Sequence, residues 1–303
     1  MPFVLVIGLG IQGKKRQKVL NQLKIKSISL DSHVSNADFK RIDFIPKKIL
    51  IKVTHVFICT PYENRLFFLK FFIKSNVKIL IEKPLITNNH EKIFLKKNFS
   101  KIKKKFYVAY NHRFEESIQK CKEIIEKKKI GNLYFCKMVY GNGTAKNIKE
   151  SKWKNSGKGV IMDLLPHLLD LSFFIFKSIP KKINRYSKLN FENKSPDYFE
   201  IETEINKLNI SLNTSYLYWR NNFKIFIVGS KGFIELTGLP KWGISKLKIG
   251  KRKLPSGRPQ IKNYRYKSDD LTWKKEINNF IYGNHKIIEL KKDLEIFNFI
   301  KKC

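Results

Sequence analysis

Cysteine is sparse and unpatterned in this chain: Cys59, Cys121, Cys136 and Cys303 form no C-x-x-C pair and stand at no metal-ligand spacing from the histidines. That excludes a disulfide framework and a structural zinc site as the source of the fold, and it points to a reducing, cytoplasmic compartment. Long uncharged apolar runs are missing too. Residues 66–73 and 164–176 read as too short or too interrupted by charge to cross a bilayer, so no membrane partner is expected. The apolar start has no basic leader and reads as a first strand rather than a signal peptide. Acidic residues are few, 25 against 62 Lys and Arg, which leaves a formal net charge of +37. Such a balance raises nucleic acid or an anionic surface as a partner. Arginine, which reads bases and grips phosphates bidentately, is scarce, and the lysines are scattered along the whole chain among Ile, Asn and Phe. The sequence therefore predicts no specific nucleic-acid partner, only non-specific polyanion binding at low salt and a field that steers anionic substrates.

What is present begins at the first residues. Phe3-Val4-Leu5-Val6-Ile7 reads as a buried parallel strand, followed by Gly8-Leu9-Gly10-Ile11-Gln12-Gly13 and a helical stretch to Leu23. This is a G-x-G-x-x-G run in strand–turn–helix context, where glycines allow a tight turn and close approach of a pyrophosphate. The amides at Ile11 and Gln12 open a helix whose positive end favours anions. A second strand over 25–30 ends in Asp31, 18 residues past Gly13, where a carboxylate accepts from ribose hydroxyls and repels a 2′-phosphate. NAD is thus the expected cofactor, with NADP admitted because Ser32 and His33 soften the preference. The other reading is a glycine-rich turn in some other α/β protein, with Asp31 a solvated strand end.

At 303 residues the chain has room for about two domains. Apolar runs over 53–60, 77–81 and 106–110 alternate with helical stretches over 63–74 and 88–98, as a doubly wound sheet requires. Ligands in such sheets lie beyond the carboxyl ends of the strands, here Gly8–Gly13, Asp31, Thr60-Pro61, Glu82-Lys83 and Asn111-His112-Arg113. After 114 the pattern changes to a helix over 115–128, a strand-like run to Tyr140, an apolar helix over 164–176, and short β-like segments through 183–249. Helical stretches near 271–281 and 286–300 close the chain. The expected class is α/β: an N-terminal Rossmann doubly wound parallel sheet (1–113), then a C-terminal α+β domain with a mostly antiparallel sheet (114–303).

A helix beginning near Asp163 puts Asp163, His167 and Asp170 on one face of an otherwise apolar segment, with Pro166 confined to its first turn. Read from these residues alone, Asp163 is either an N-cap or a functional carboxylate, and His167 either a core histidine or a proton-transfer group.

The G-x-G-x-x-G turn, Thr60-Pro61, Glu82-Lys83-Pro84, Tyr110-Asn111-His112-Arg113-Phe114 and the Gly-x-Gly run leading to Asp163-x-x-x-His167-x-x-Asp170 together resemble the Gfo/Idh/MocA oxidoreductases, over essentially the whole chain. The resemblance implies Lys83, Asp163 and His167 as catalytic residues. It implies Gly8, Gly10, Ile11, Gln12, Gly13, Asp31, Ser32, Thr60, Pro61, Glu82, Lys83 and Asn111 on the cofactor side. Lys83, Arg113, Trp153, Asp163 and His167 fall on the substrate side. It also implies hydride transfer between a nicotinamide and a hydroxyl or keto carbon of a sugar or sugar derivative, a nucleotide sugar for surface polysaccharide among them, with no metal and a homo-oligomeric second domain, dimer or tetramer. A non-catalytic NAD-binding regulator or scaffold and a redox-neutral lyase on the same fold are the alternatives. The chain departs from the family at Arg65, where a histidine is usual, at Lys158 and Leu165, where glycine is common, and at Trp153-Lys154, where Trp-Arg is frequent. For Asn111 and Arg113 a ligand contact and a hydrogen-bond network between domains are both open. Tyr140, Trp219 and Trp242 are candidates to line a sugar site, or core residues.

Overall fold

The computed structural model describes residues 1–102, 105–151, 155, 157–267, 270–283 and 290–303; Trp153 lies outside them. It contains two compact units, Met1–Asn111 with Leu271–Leu294, and His112–Asp270 with Glu295–Cys303.

The first unit is built on five parallel strands, β1 (Phe3–Ile7), β2 (Lys26–Leu30), β3 (His55–Ile58), β4 (Lys78–Glu82) and β5 (Phe106–Ala109). Their order is β2-β1-β3-β4-β5, so the chain winds outward in both directions from β1 and β3. β1 and β3 are wholly buried, which is why they read as unbroken apolar runs rather than alternating ones. The late helix Thr272–Tyr282 belongs to this unit: Ile277, Phe280 and Ile281 pack with Val4, Val6, Leu20, Phe57 and Leu80 in one core. A single division near residue 113 does not assign that returning segment. The order of strands sets the order of chemistry along the carboxyl edge: Asp31, then the glycine turn, then Thr60, then Glu82-Lys83, then Asn111.

The second unit holds an eight-stranded sheet of β6 (Leu133–Gly141), β7 (Ile183–Leu189), β8 (Tyr198–Ile205), β9 (Leu208–Ser215), β10 (Asn222–Gly229), β11 (Gly232–Thr237), β12 (Ser245–Lys251) and β13 (Gln260–Tyr266), in the order β13-β12-β11-β10-β6-β9-β8-β7. Only β6 and β9 run parallel; every other neighbouring pair is antiparallel. The β8–β9 hairpin turns on Asn206 and Lys207, both at positive φ, the mirror-image turn whose twist suits adjacent strands. Alternation is clean in the centre: Cys136, Met138 and Tyr140 of β6 and Phe223, Ile225 and Ile227 of β10 are buried, whereas Phe135, Val139, Phe226 and Val228 are half-exposed. The helix Glu116–Glu126 packs on β11 and β12, and Leu165–Phe176 on β6 and β9.

Gly159–Asp163 and Leu165–Phe176 together form an apolar stretch of 18 residues, by length and composition enough to cross a membrane and longer than 164–176 alone suggests. Most of it is buried within the structure.

Candidate active site

On the first unit, Gly8 sits at φ +88°, and a Cβ there would lie 2.9 Å from Cys59 C and Thr60 N. At Gly13 it would lie 1.8 Å from Gly8 O, so the helix Ile11–Gln22 leaves β1 this tightly only with glycine at both places. Gly10 differs, because a Cβ there would meet nothing within 4 Å. Its bareness leaves open space in front of the first helical turn, which has no side-chain cap on its N–H groups and no acidic residue. Among the described residues Thr60 Oγ1 is buried without a hydrogen-bond partner. Asp31 Oδ2 accepts from Leu9 N at 2.6 Å, and Oδ1 accepts from His33 N and Val34 N at 2.8 and 3.0 Å. Burial pulls its pKa upward, but these N–H groups, Leu9 foremost, hold the carboxyl below its ordinary value. An uncapped helix start, a bare Gly10, an orphaned hydroxyl and an ionised carboxylate suit a dinucleotide: pyrophosphate at Gly10–Gln12 and ribose at Asp31. Ser32 is exposed beside Asp31.

Glu82 faces inward. Its Oε1 accepts from Arg16 Nε at 2.6 Å, and its main-chain O from Arg65 Nη1 at 3.2 Å. Arg16 is fully buried, donates Nη1 and Nη2 to Glu276 Oε2 at 3.1 Å, and lies over the Trp273 ring. One guanidinium thus serves two carboxylates, and burial, followed by repulsion from Glu82, pushes the Glu276 carboxyl up to about 7 against the pull of Arg16. Arg65 is also fully buried, and its fork meets Glu91 through Nε and Nη2 at 3.0–3.1 Å. Lys83, half-buried, leaves the sheet between these anchors. Asn111 Nδ2 donates to Thr272 Oγ1 at 3.0 Å, tying the end of β5 to the returning helix.

On the second unit the expected single helix starting near Asp163 is instead two. A short helix Gly159–Asp163 ends at Leu164, and Leu165–Phe176 restarts with Pro166 in its first turn. Asp163 therefore caps nothing: it is the last residue of the first helix, and Pro166, whose missing N–H costs no bond there, sits in the first turn of the second. Its Oδ2 accepts from Tyr216 Oη at 3.1 Å, and it stays half-buried. The His167 ring lies 4.8 Å from that of His112 and 5.5 Å, edge-on, from Tyr140. His112 Nε2 is 3.3 Å from Tyr140 Oη, which also accepts from Lys241 Nζ at 3.3 Å. Burial lowers the Lys241 pKa, against the raising influence of Asp270, Glu115 and Asp163. The third residue of the stripe, Asp170, is taken up by Arg113, whose Nε and Nη2 reach it at 2.7 and 2.5 Å. The structure thus gathers His167, Tyr140 and Trp242 with His112 and Lys241, keeps Asp163 beside Tyr216, and commits the Arg113 fork to Asp170. Trp219 stands apart, 71% exposed.

His112 stands at the strand end expected to face a ligand, whereas Arg16, Tyr216 and Lys241 carry no such mark in the sequence. For Arg16 a signal exists: Gly13, Arg16 and Leu20 are the buried positions of the first helix, so an arginine stands in its inward stripe.

Residues 118–235 match the model of the GFO/IDH/MocA C-terminal domain. A glucose-6-phosphate 3-dehydrogenase of Bacillus subtilis is 26% identical over 179 residues, 54% of this chain and 51% of that one. The chain spans about half or less of the length of the curated relatives it matches. Among solved structures, a UDP-N-acetylglucosamine 3-dehydrogenase from Acidithiobacillus ferrooxidans superposes with a TM-score of 0.77 at 16% identity, covering 99% of this chain and 96% of that one. An oxidoreductase from Agrobacterium radiobacter, in complex with NAD+, L-tartaric acid and magnesium, superposes with a TM-score of 0.75 at 15% identity over 99% and 94%.

Proposed function

From a chain that belongs to the Gfo/Idh/MocA oxidoreductases, we propose an NAD-dependent enzyme that moves a hydride between the nicotinamide and a hydroxyl or keto carbon of a sugar or sugar derivative. The observation that carries this reading is the pair Asp163 and His167, offered by an otherwise apolar segment and supported by Tyr216, His112 and Tyr140. Polar groups so placed carry a burial cost that packing alone does not require. The dinucleotide, held by Gly8–Gly13 and Asp31, supplies hydride acceptance and donation. His167 takes the hydroxyl proton in the oxidative direction and returns it in the reductive one. Lys83 donates to the same oxygen as negative charge develops on it, and Asp163 orients the sugar and the imidazole. Asp31 favours NAD over NADP, since a 2′-phosphate would meet an ionised carboxylate.

Sugar-acting relatives set the substrate class to be screened. Purified protein is offered polyols, sugar acids, hexose phosphates and nucleotide sugars, with NAD and with NADP, and the reduced-nicotinamide absorbance is followed. Turnover with at least one sugar, faster with NAD, is the expected result. NAD binding with no turnover on any of them would remove the enzymatic reading, and product without net absorbance change would move it to redox-neutral chemistry.

We infer further that the open face of the eight-stranded sheet pairs with a second copy, giving a dimer or tetramer. Phe135, Phe226 and Phe233 are half-exposed at its centre, with Glu200, Glu202 and Glu204 toward one edge and Lys246, Lys248 and Arg265 toward the other. Sedimentation is expected to give at least a dimer, and Phe226→Glu a monomer. A monomeric wild-type protein at micromolar concentration would discard this interface.

A further inference from the structure

The two buried arginines of the first unit converge on one short piece of main chain. Arg65 divides its guanidinium. Nη1 donates to the carbonyls of the residues on either side of Lys83, Glu82 O at 3.2 Å and Pro84 O at 2.6 Å, while Nε and Nη2 are held by Glu91. Glu91 is itself fixed: Oε2 accepts from Thr87 N at 2.7 Å and Thr87 Oγ1 at 2.8 Å, and its own N–H donates to the Asn88 cap at 2.9 Å. Arg16 seizes the other end of Glu82, its carboxylate, and is backed by Glu276 and the Trp273 ring. Both polar ends of Glu82 are thereby engaged by guanidinium groups that carry no exposed surface.

Two fully buried cations around a single tripeptide are more than strand termination requires, since desolvating each is costly unless its partners are complete. We propose that Arg65 and Arg16 are positioning residues that fix Glu82 and the Glu82–Lys83 and Pro84–Leu85 peptide groups, the main chain that flanks Lys83, and so hold its ammonium at one place relative to the reacting atom. The proposal rests on Lys83 acting in the reaction proposed above. On this view Glu82 is an anchor of the loop rather than a contact of the cofactor. Arginine at 65 is the required residue type, because its planar fork reaches two carbonyls and a carboxylate at once, which a point-charge ammonium does not.

The test uses Arg65→Lys and Glu91→Gln in the full chain, with Arg16→Lys as a second route to the same loop. Hydrogen exchange is read at the amides of Lys83, Leu85 and Ile86, with NADH binding by fluorescence titration and steady-state kinetics alongside. Arg65→Lys is expected to speed exchange at these amides at least tenfold, keep NADH affinity within about threefold, and lower kcat about 10²-fold with KM little changed, the scale of loss for a displaced catalytic group. Glu91→Gln, which leaves the Nη1 donors in place but removes the charge that holds the guanidinium, is expected to loosen the same amides and to lower kcat less than Arg65→Lys does. Should Arg65→Lys fail to fold, Arg16→Lys is expected to reproduce the local loosening. Wild-type exchange at Lys83–Ile86 in the folded arginine variants would overturn the proposal. If the wild-type protein turns over no sugar, the functional reading fails alone, because the exchange arm still decides whether the arginines hold the loop.

Discussion

Lys83→Ala is expected to lower kcat about 10³-fold while the affinity for NADH stays within about threefold. The two halves of this expectation have separate origins. The proposed dinucleotide site has its geometry set by the glycine turn, the uncapped start of Ile11–Gln22 and the hydrogen bonds of Asp31. Removing the ammonium therefore leaves that site intact. What is lost is a cationic donor proposed to face an oxygen that gains negative charge as its proton is removed in oxidation, or as hydride reaches its carbon in reduction, a kind of interaction whose removal costs about 10²–10³-fold in kcat. Proton transfer through the same oxygen adds to the loss. Lys83→Arg is not expected to restore turnover, since a planar fork does not reproduce a compact ammonium at a crowded strand end. Steady-state kinetics on the best substrate and a fluorescence titration with NADH check both halves. A kcat within tenfold of the wild type would assign Lys83 to structure, and unchanged biological output would favour the regulatory alternative.

The part of the molecule that is legible from the chain is the part that is buried on both sides. β1 and β3 show as apolar runs because each residue meets a helix or a neighbouring strand, and the glycine turn shows because Gly8 and Gly13 have no room for a Cβ. At the margins this breaks down. β13 and β7 are edge strands with most side chains exposed, so no alternation marks them, and Gln260–Tyr266 lies beyond the β-like segments that the sequence predicts over 183–249. The short helix Gly159–Asp163 hides in a glycine-rich run, because its start is set by a bond from Val160 N to Pro196 O, far along the chain. Polar partners were the least legible. Arg16 finds Glu276 across 260 residues, and Asp163 finds Tyr216 across 53, separations no local pattern encodes. The departure at Arg65 was visible in the sequence as an unexpected residue type. Its meaning appeared only once Glu91, Glu82 O and Pro84 O were seen around one side chain.

His167→Asn is expected to lower kcat/KM for sugar oxidation by about 10²–10⁴-fold and to remove the acid limb of its pH profile. The magnitude is that of a positioned general base. The sign follows from oxidation: the imidazole must be neutral to accept the hydroxyl proton, so wild-type kcat/KM rises with pH as the imidazole loses its proton, and a side chain that does not titrate has no such limb. Asparagine fits the comparison because it keeps a polar group of modest size among His112 and Tyr140, so a loss of packing is held small. Asp163→Asn is expected to lower kcat less and to leave the limb in place, because the carboxylate next to Tyr216 orients rather than transfers the proton. A core histidine predicts the reverse pattern: His167→Asn would lower the melting temperature and leave the shape of the pH profile untouched. Measuring both variants over pH 5 to 9, with thermal unfolding run on the same samples, separates the two, since only a group that exchanges protons with substrate can take the limb away without taking the fold with it.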